Sequence, residues 1–418
     1  MNNSDTYIVY AVIFMAALFY IFTYAMIVKY EKSYFNVLVP VIFFQVPVYF
    51  VLEPLNIALN GLQGSVFAYS YAYACYIVQF CVFAVAYRYV TPIDSRFINS
   101  IADFRKNNDV KYFHIFLLSV SCFLMLPILY EYRDMLAMPR KIYENTRSGY
   151  GIFLFTTALL NNLAFIVFLF TKRKTFFGSI IFFVFLLANI YFHGSKGQFI
   201  TIVMIYFAYI TYVLGRKMGG KKFLVNFGIA SAFLVSLFAV FTAKQSNLIE
   251  MAVNISSYSD YTRNGNKVID SDFPLQYGRL VVEQNLYSRL PRVIYPEKPK
   301  DFGYFLLAKT FYPEWFENDT GSPAFGMGGV WADFGIFAIV YFFAWAFVLG
   351  VIFKTLVVKL KKTANMGIFI LVLFFMGIEL IPLGAGYLVV EHLFLAIILS
   401  LFSSKKMAVQ FFQNDKKL

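Results

Sequence analysis

This sequence predicts an all-α, polytopic integral membrane protein, and three observations carry that expectation. Its 418 residues are 60% hydrophobic and only 14% charged, whereas soluble domains run at about 45–50% apolar and about 25% charged. The apolar residues gather into runs of about 17–25, the length that lets a helix cross a hydrocarbon core. Between the runs, basic residues are abundant in alternate loops and scarce in the others, as expected when positive charge is retained on one side of a membrane.

Taken in order, the apolar runs predict about eleven spans: 7–28, 36–59, 66–87, 113–130, 151–171, 176–192, 198–214, 223–243, 328–353, 366–383 and 387–402. Glu53 and Pro54 interrupt the second, and Glu379 and Pro382 the tenth. The opening "MNNSDT" has neither a basic region nor a small-residue cleavage site, so the first span is expected to be retained. The organisation that follows is an N-terminal transmembrane bundle (1–243) with a small outer loop (131–151), a large outer loop (244–325), and C-terminal helices with a short cytoplasmic tail (326–418). Cys75, Cys81 and Cys122 all lie inside apolar runs and form no disulfide framework in water.

Orientation follows from charge. Loops after the odd-numbered spans hold Lys29 and Lys32, Arg88 to Lys111, and the basic clusters at 172–174, 216–222, 359–362 and 405–406. The short loops "NGLQGS" (60–65) and "LGAG" (383–386) hold none. This places the N-terminus outside and the C-terminus in the cytoplasm. It also accounts for much of the net charge of +13 without invoking nucleic acid.

Long loops translocate whatever their charge, yet the basic residues left on the outer face need a reason. The stretch "YGRLVVEQNLYSRLPRVIYPEKPKDFG" (277–303) holds Arg279, Arg289 and Arg292 close together. Arginine suits phosphate because its planar fork donates two hydrogen bonds at once and stays charged. A solvated loop is the alternative, with the arginines paired to Glu283, Glu297 or Asp301. In "HGSKGQ" (193–198), Lys196 falls at a helix N-terminus, where free N–H groups favour an anion. A lysine snorkelling to the interface explains the same residue. Asp333 and His392 are ionisable groups inside expected spans, which makes them functional candidates. "DSD" (270–272) has the Asp-x-Asp pattern of a metal holder, but an ordinary polar loop is the simpler reading, and no Cys/His metal spacing appears.

With these residues assembled, the chain resembles the Wzy-type O-antigen or capsule repeat-unit polymerases, polytopic proteins whose two outer loops carry essential arginines. Arg133 to Gly149 reads R-x15-G and Arg292 to Gly303 reads R-x10-G, similar to paired patterns in that family. "GSKGQ" is similar to a Gly-Ser-Arg-Gly helix opening in related polymerases, with Lys196 in place of arginine, and "MGGVWADFGIF" resembles the helix start after the large loop. The resemblance implies an inner-membrane, metal-independent glycosyltransferase without cofactor. Its donor would be a growing glycan on undecaprenyl pyrophosphate and its acceptor a lipid-linked repeat unit, with chain-length regulator and flippase proteins as partners. It implies that Arg289, Arg292 and Arg147 stabilise the departing pyrophosphate, supported by Arg133, Arg140, Arg279 and Lys196, while His392 or Asp333 assists the acceptor hydroxyl. A lipid-linked-oligosaccharide flippase is the rival reading, but it predicts internal repeats and short loops, and no repeat is visible. An O-antigen ligase, using the same donor, is the other.

Overall fold

The computed structural model describes residues 3–103, 112–146, 150–171, 174–225, 228–229, 259–288, 290, 295–317, 323–378, 380 and 389–403. In chain order its helices are α1 (Asn3–Glu31), α2 (Val39–Gln45), a π-helical stretch (Val46–Leu52), α3 (Glu53–Asn60), α4 (Val66–Tyr89), α5 (Arg96–Asp103) and α6 (Phe113–Glu131). Then come α7 (Pro139–Thr146), α8 (Gly151–Phe170), α9 (Phe176–His193), α10 (Lys196–Ala208), α11 (Asp260–Ile269) and α12 (Arg279–Tyr287). The last six are α13 (Phe305–Phe311), α14 (Pro313–Glu317), α15 (Met327–Phe334), α16 (Ala338–Thr363), α17 (Met366–Phe375) and α18 (Val389–Leu401). No strand occurs among the described residues.

Among the described residues, seven helical stretches are long and apolar enough to cross a membrane, and three shorter apolar helices stand where the seventh, tenth and eleventh spans are expected. The eighth, 223–243, lies mostly outside the described residues. Local chemistry sets the ends. Ser65, Thr175 and Asn365 each accept an N–H of the first turn with their side chains, capping α4, α9 and α17. The second span runs through its prolines without a break, because Pro47 and Pro54 fall where the helical register changes, at the first turns of the π stretch and of α3. There a missing N–H costs least. The ninth span is less regular than its composition suggests. Gly335 adopts φ +55, and a 3-10 turn (Gly335–Phe337) separates α15 from α16. The tenth is shorter than expected: α17 stops at Phe375, and Gly377 turns left-handed at φ +79.

The chain divides into two compact units. The first comprises Met1–Tyr30, Val41–Thr91 and Lys244–Val351; the second comprises Glu31–Pro40, Pro92–Ala243 and Ile352–Leu418. In the first, the loop helix α11 is seated on α4 and α15. Asn264 Nδ2 donates to the Ala324 carbonyl at 2.9 Å, and a Cβ on Gly328 would stand 2.7 Å from the Gly265 Cα, so the two backbones touch. In the second, α6 packs along α8, and Ser121, Asn161 and Asn189 join three helices through hydrogen bonds of 2.8–2.9 Å. Polar groups pair this way in lipid because no water is available to them.

Within each unit, some loops assigned by charge to the same side meet. In the first unit the loop 60–65 meets the large loop, since Asp270 accepts from the Ser65 backbone N–H and hydroxyl. In the second, the Tyr34 N–H donates to the Met218 carbonyl at 2.9 Å, and Lys359 Nζ donates to Asn99 Oδ1 at 2.7 Å. These contacts join the loops after the first and seventh spans, and after the third and ninth.

Candidate functional site

Two clusters of the expected residues form, one in each unit. In the first unit the segment 276–281 is fastened to the end of α15. The Gln276 and Tyr277 N–H groups donate to the Ala332 and Asp333 carbonyls, each at 2.9 Å. Asp333 Oδ1 accepts from the Leu280 N–H at 2.9 Å, and Oδ2 from the Val281 N–H at 2.8 Å. Those N–H groups belong to the first turn of α12, which has no intrahelical acceptor for them. A carboxylate there satisfies them and complements the helix dipole. The sequence marks Asp333 as a candidate to assist the acceptor hydroxyl. With 0% exposure and both oxygens engaged by backbone, its geometry instead fits an anchor that holds α12 in place.

The turn before α12 is strained. Tyr277 has φ +52 and Gly278 φ +88, two successive left-handed residues. A tyrosine in that region is uncommon and persists where its surroundings hold it. Here the holding groups are the Asp333 backbone and the Phe334 ring, whose edge lies 3.3 Å from where a Gly278 Cβ would stand. Arg279 opens α12 in consequence, mostly exposed. Its Nε donates to Glu283 Oε1 at 2.6 Å, one helical turn on, and Glu283 raises its pKa further above the usual range. An exposed pair of this kind stabilises little, so Arg279 stays available at the surface.

Glu283 does a second job. Its Oε2 accepts from the Gly303 N–H at 3.0 Å, and Gln284 Oε1 accepts from the Tyr304 N–H at 3.1 Å. The far end of the loop is thereby closed onto α12. Gly303, the glycine of the R-x10-G pattern, has φ +54, and a Cβ there would stand 2.8 Å from the Gln284 backbone nitrogen and Cα. No other residue fits without displacing α12. Gly303→Ala is therefore expected to cost about 1–3 kcal/mol from overpacking, with backbone strain added. A lower melting temperature of the detergent-solubilised protein, with loss of polymer in cells, would show it. Asp301, another of the carboxylates the sequence offers to the arginines, pairs with Lys309 at 2.8 Å, and that ammonium holds its pKa below the ordinary carboxylate value.

In the second unit the small loop closes over the "HGSKGQ" turn. Gly194 ends α9 at φ +68, and a Cβ there would overlap the Pro139 carbonyl, so α7 lies directly on the glycine. His193 is fully buried, with Nε2 at 3.2 Å from the Leu154 carbonyl and its ring centroid 5.9 Å from that of Tyr143. Arg140 stacks over the same Tyr143, 5.1 Å from the ring centroid. Lys196 opens α10, as expected, two residues after the Gly194 against which α7, the helix that carries Arg140, is packed. Arg133 lies over the Tyr130 ring at 5.6 Å, in a 3-10 turn (Arg133–Met135). His392, only 3% exposed, packs against Phe374, the ring centroids 4.5 Å apart. Arg147, Arg289, Arg292 and the side chain of Lys196 lie outside the described residues.

Asp270, the first carboxylate of "DSD", is engaged at the N-terminus of α4 by Ser65. What sequence reasoning missed are Glu283 as a two-sided tie and the left-handed Tyr277. Only the Gly after Tyr277 hinted at either.

No family model matches the chain, and no solved structure matches it. Curated relatives do. The O-antigen polymerase of Salmonella typhimurium (strain LT2) is 36% identical over 395 residues, covering 93% of this chain and 94% of its own. The O-antigen polymerase of Salmonella typhi matches with the same identity and coverage. With that identity along nearly the whole of both chains, this chain belongs to the O-antigen polymerase family.

Proposed function

We propose that the chain joins undecaprenyl-pyrophosphate-linked oligosaccharide repeat units into O-antigen polysaccharide at the outer face of the bacterial inner membrane. The observation that carries this reading is the 36% identity, along 93% of the chain, to proteins named O-antigen polymerase. The polytopic helical body supports it, because lipid-linked substrates reach such a site from the bilayer.

The reaction is a glycosyl transfer. A hydroxyl of the acceptor repeat unit attacks the anomeric carbon of the donor glycan, a glycosidic bond forms, and the bond to undecaprenyl pyrophosphate breaks. The hydroxyl proton passes to a base, for which His392 is the candidate. Negative charge grows on the departing pyrophosphate, and preorganised cations aimed at it lower the barrier. Arg289, Arg292 and Arg147 fill that role, with Arg133, Arg140, Arg279 and Lys196 binding the pyrophosphate and glycan. Asp333 holds the Arg279 helix in register. Arginine supplies the charge a divalent ion would otherwise provide, so the transfer runs without metal.

The N-terminus lies outside and the C-terminus in the cytoplasm, as the loop charges indicate. Single cysteines at Glu314 and Lys222, both exposed, test this. The Glu314→Cys protein is expected to react with an impermeant maleimide in spheroplasts, and the Lys222→Cys protein only after the membrane is opened. Equal labelling of both in spheroplasts would overturn the orientation.

Deleting the gene tests the function itself. Surface lipopolysaccharide is expected to collapse to a single repeat unit on lipid A-core, and the wild-type gene to restore the ladder. Loss of all attached antigen would point instead to a flippase or a ligase.

A further inference from the structure

Outside both clusters, the first unit contains a polar seam that the transfer reaction does not use. Three elements face one another there, each through residues at helical spacing. Glu53, Asn56 and Asn60 mark one face of α3; Tyr69 and Tyr73 mark one face of α4; Arg263 and Asn266 mark one face of α11. Glu53 is 0% exposed within an apolar span, where a carboxylate is costly and is by default a functional candidate. Its Oε1 accepts from the Tyr69 hydroxyl at 2.8 Å, and Arg263 and Ser259 lie beside it. A π-helical turn immediately precedes it, a distortion frequent at functional sites.

The unusual feature is what these buried groups leave unmet. Among the described residues, Glu53 Oε2, Asn56 Nδ2 and both polar atoms of the Asn266 amide have no hydrogen-bond partner. Asn56 and Asn266 are each 0% exposed. A buried polar group without a partner costs about 1–3 kcal/mol, and native structures keep few without a reason. The unmet set contains acceptors and donors together. An anion would meet only the donors and be repelled by Glu53. A cation would meet only the acceptors and be repelled by Arg263. A neutral hydroxyl both donates and accepts, and adjacent hydroxyls match the paired atoms of a carboxylate or an amide. The seam also reaches the surface: exposed Asn60 donates to Asn56 Oδ1 at 2.8 Å, and Arg263 is only half-buried.

We propose that this seam is a saccharide-binding subsite, in which Glu53, Asn56, Asn266 and Arg263 take up the hydroxyl groups of one sugar of the repeat unit. The subsite rests on the polymerase reading for its choice of ligand. It lies where the loop helix α11 meets the membrane spans, so a sugar held there is gripped by the large loop and the bundle at once.

The test uses the full chain purified in detergent and, as probe, the delipidated single-repeat oligosaccharide released from the host's own lipopolysaccharide. Saturation-transfer NMR reads its binding to folded protein, with size-exclusion chromatography reporting folding. The wild type is expected to bind. Glu53→Gln, which keeps shape and loses charge, is expected to weaken binding about 10-fold, the scale of one charge-assisted hydrogen bond. Asn266→Leu, similar in size and apolar, is expected to abolish it. Asn60→Ala at the rim provides a second, milder variant should Asn266→Leu fail to fold, with a drop of about 3-fold expected. No binding by wild type, or unchanged binding in Glu53→Gln and whichever of the other two folds, would overturn the subsite and leave a seam filled by water. Restoration of the polysaccharide ladder by the wild-type gene is read separately, so the subsite can fail while the polymerase reading stands.

Discussion

Replacing Arg289 or Arg292 with alanine is expected to slow polymerisation by roughly 10²-fold or more, by analogy with the loss of one preorganised oxyanion donor. The reasoning is that charge on the pyrophosphate grows as the glycosidic bond breaks, so a cation placed there binds the transition state better than the ground state. Lysine is expected to rescue only partly, since it restores charge without the two-pronged hydrogen bonding. Cells carrying Arg292→Ala should still show single repeat units on lipid A-core, because export and ligation do not depend on the polymerase. Immunoblots of the membrane fraction must show normal protein, or the phenotype reports misfolding. Long-chain antigen at wild-type level from the double alanine variant would sink the assignment and leave both as solvated loop residues.

The second large effect belongs to Asp333. Its carboxylate is fully buried and holds two backbone N–H groups at the start of α12. Hydrogen bonds to a charged group contribute about 1.5–3 kcal/mol each, and their loss here would leave two N–H groups unmet. Asp333→Ala is therefore expected to destabilise the protein by on the order of 3 kcal/mol, enough to lower its abundance several-fold. Asp333→Asn should fall between, because one amide oxygen still accepts while the amide nitrogen opposes an N–H. A base acting only in chemistry would behave otherwise: the Asn variant would fold normally, melt as wild type does and lose all activity. That outcome would return Asp333 to a catalytic role.

Much of the fold was legible because lipid imposes a simple code. Apolar length placed the seven helical stretches long enough to cross a membrane, and basic loops after alternate spans meet in the structure, Tyr34 with Met218 and Asn99 with Lys359. The misjudged ends share a cause. At Gly335 and Gly377 a left-handed backbone breaks a helix inside a stretch that hydropathy reads as continuous, and hydropathy carries no information on φ. Pro54 misled in the other direction: a proline at a helix start interrupts nothing, but where the start falls is decided by the π stretch before it.

The site was legible in its residue types and less so in its connections. Arg279, Asp333 and Gly303 were singled out separately, as a cation, an intramembrane acid and a pattern glycine. That one helix start joins them through Leu280, Val281 and Glu283 depends on backbone N–H groups, which every residue has and no motif displays. Glu53 was visible only as an interruption of its span. Its significance comes from Tyr69, Arg263 and Asn266, the last two more than 200 positions away in a loop whose seating on α4 the sequence does not announce.

Reconstitution measures most directly whether this chain alone lengthens a lipid-linked glycan. Purified wild-type protein in proteoliposomes would be given undecaprenyl-pyrophosphate-linked single repeat units from its host, in excess chelator. The products would then be released by mild acid and separated by size. A ladder at multiples of the repeat unit is expected, still formed in chelator and lost in the Arg289→Ala, Arg292→Ala variant. A ladder that appears only when a divalent ion is restored would contradict the metal-free mechanism. Single repeats alone from folded wild-type protein, with or without metal, would contradict the polymerase itself.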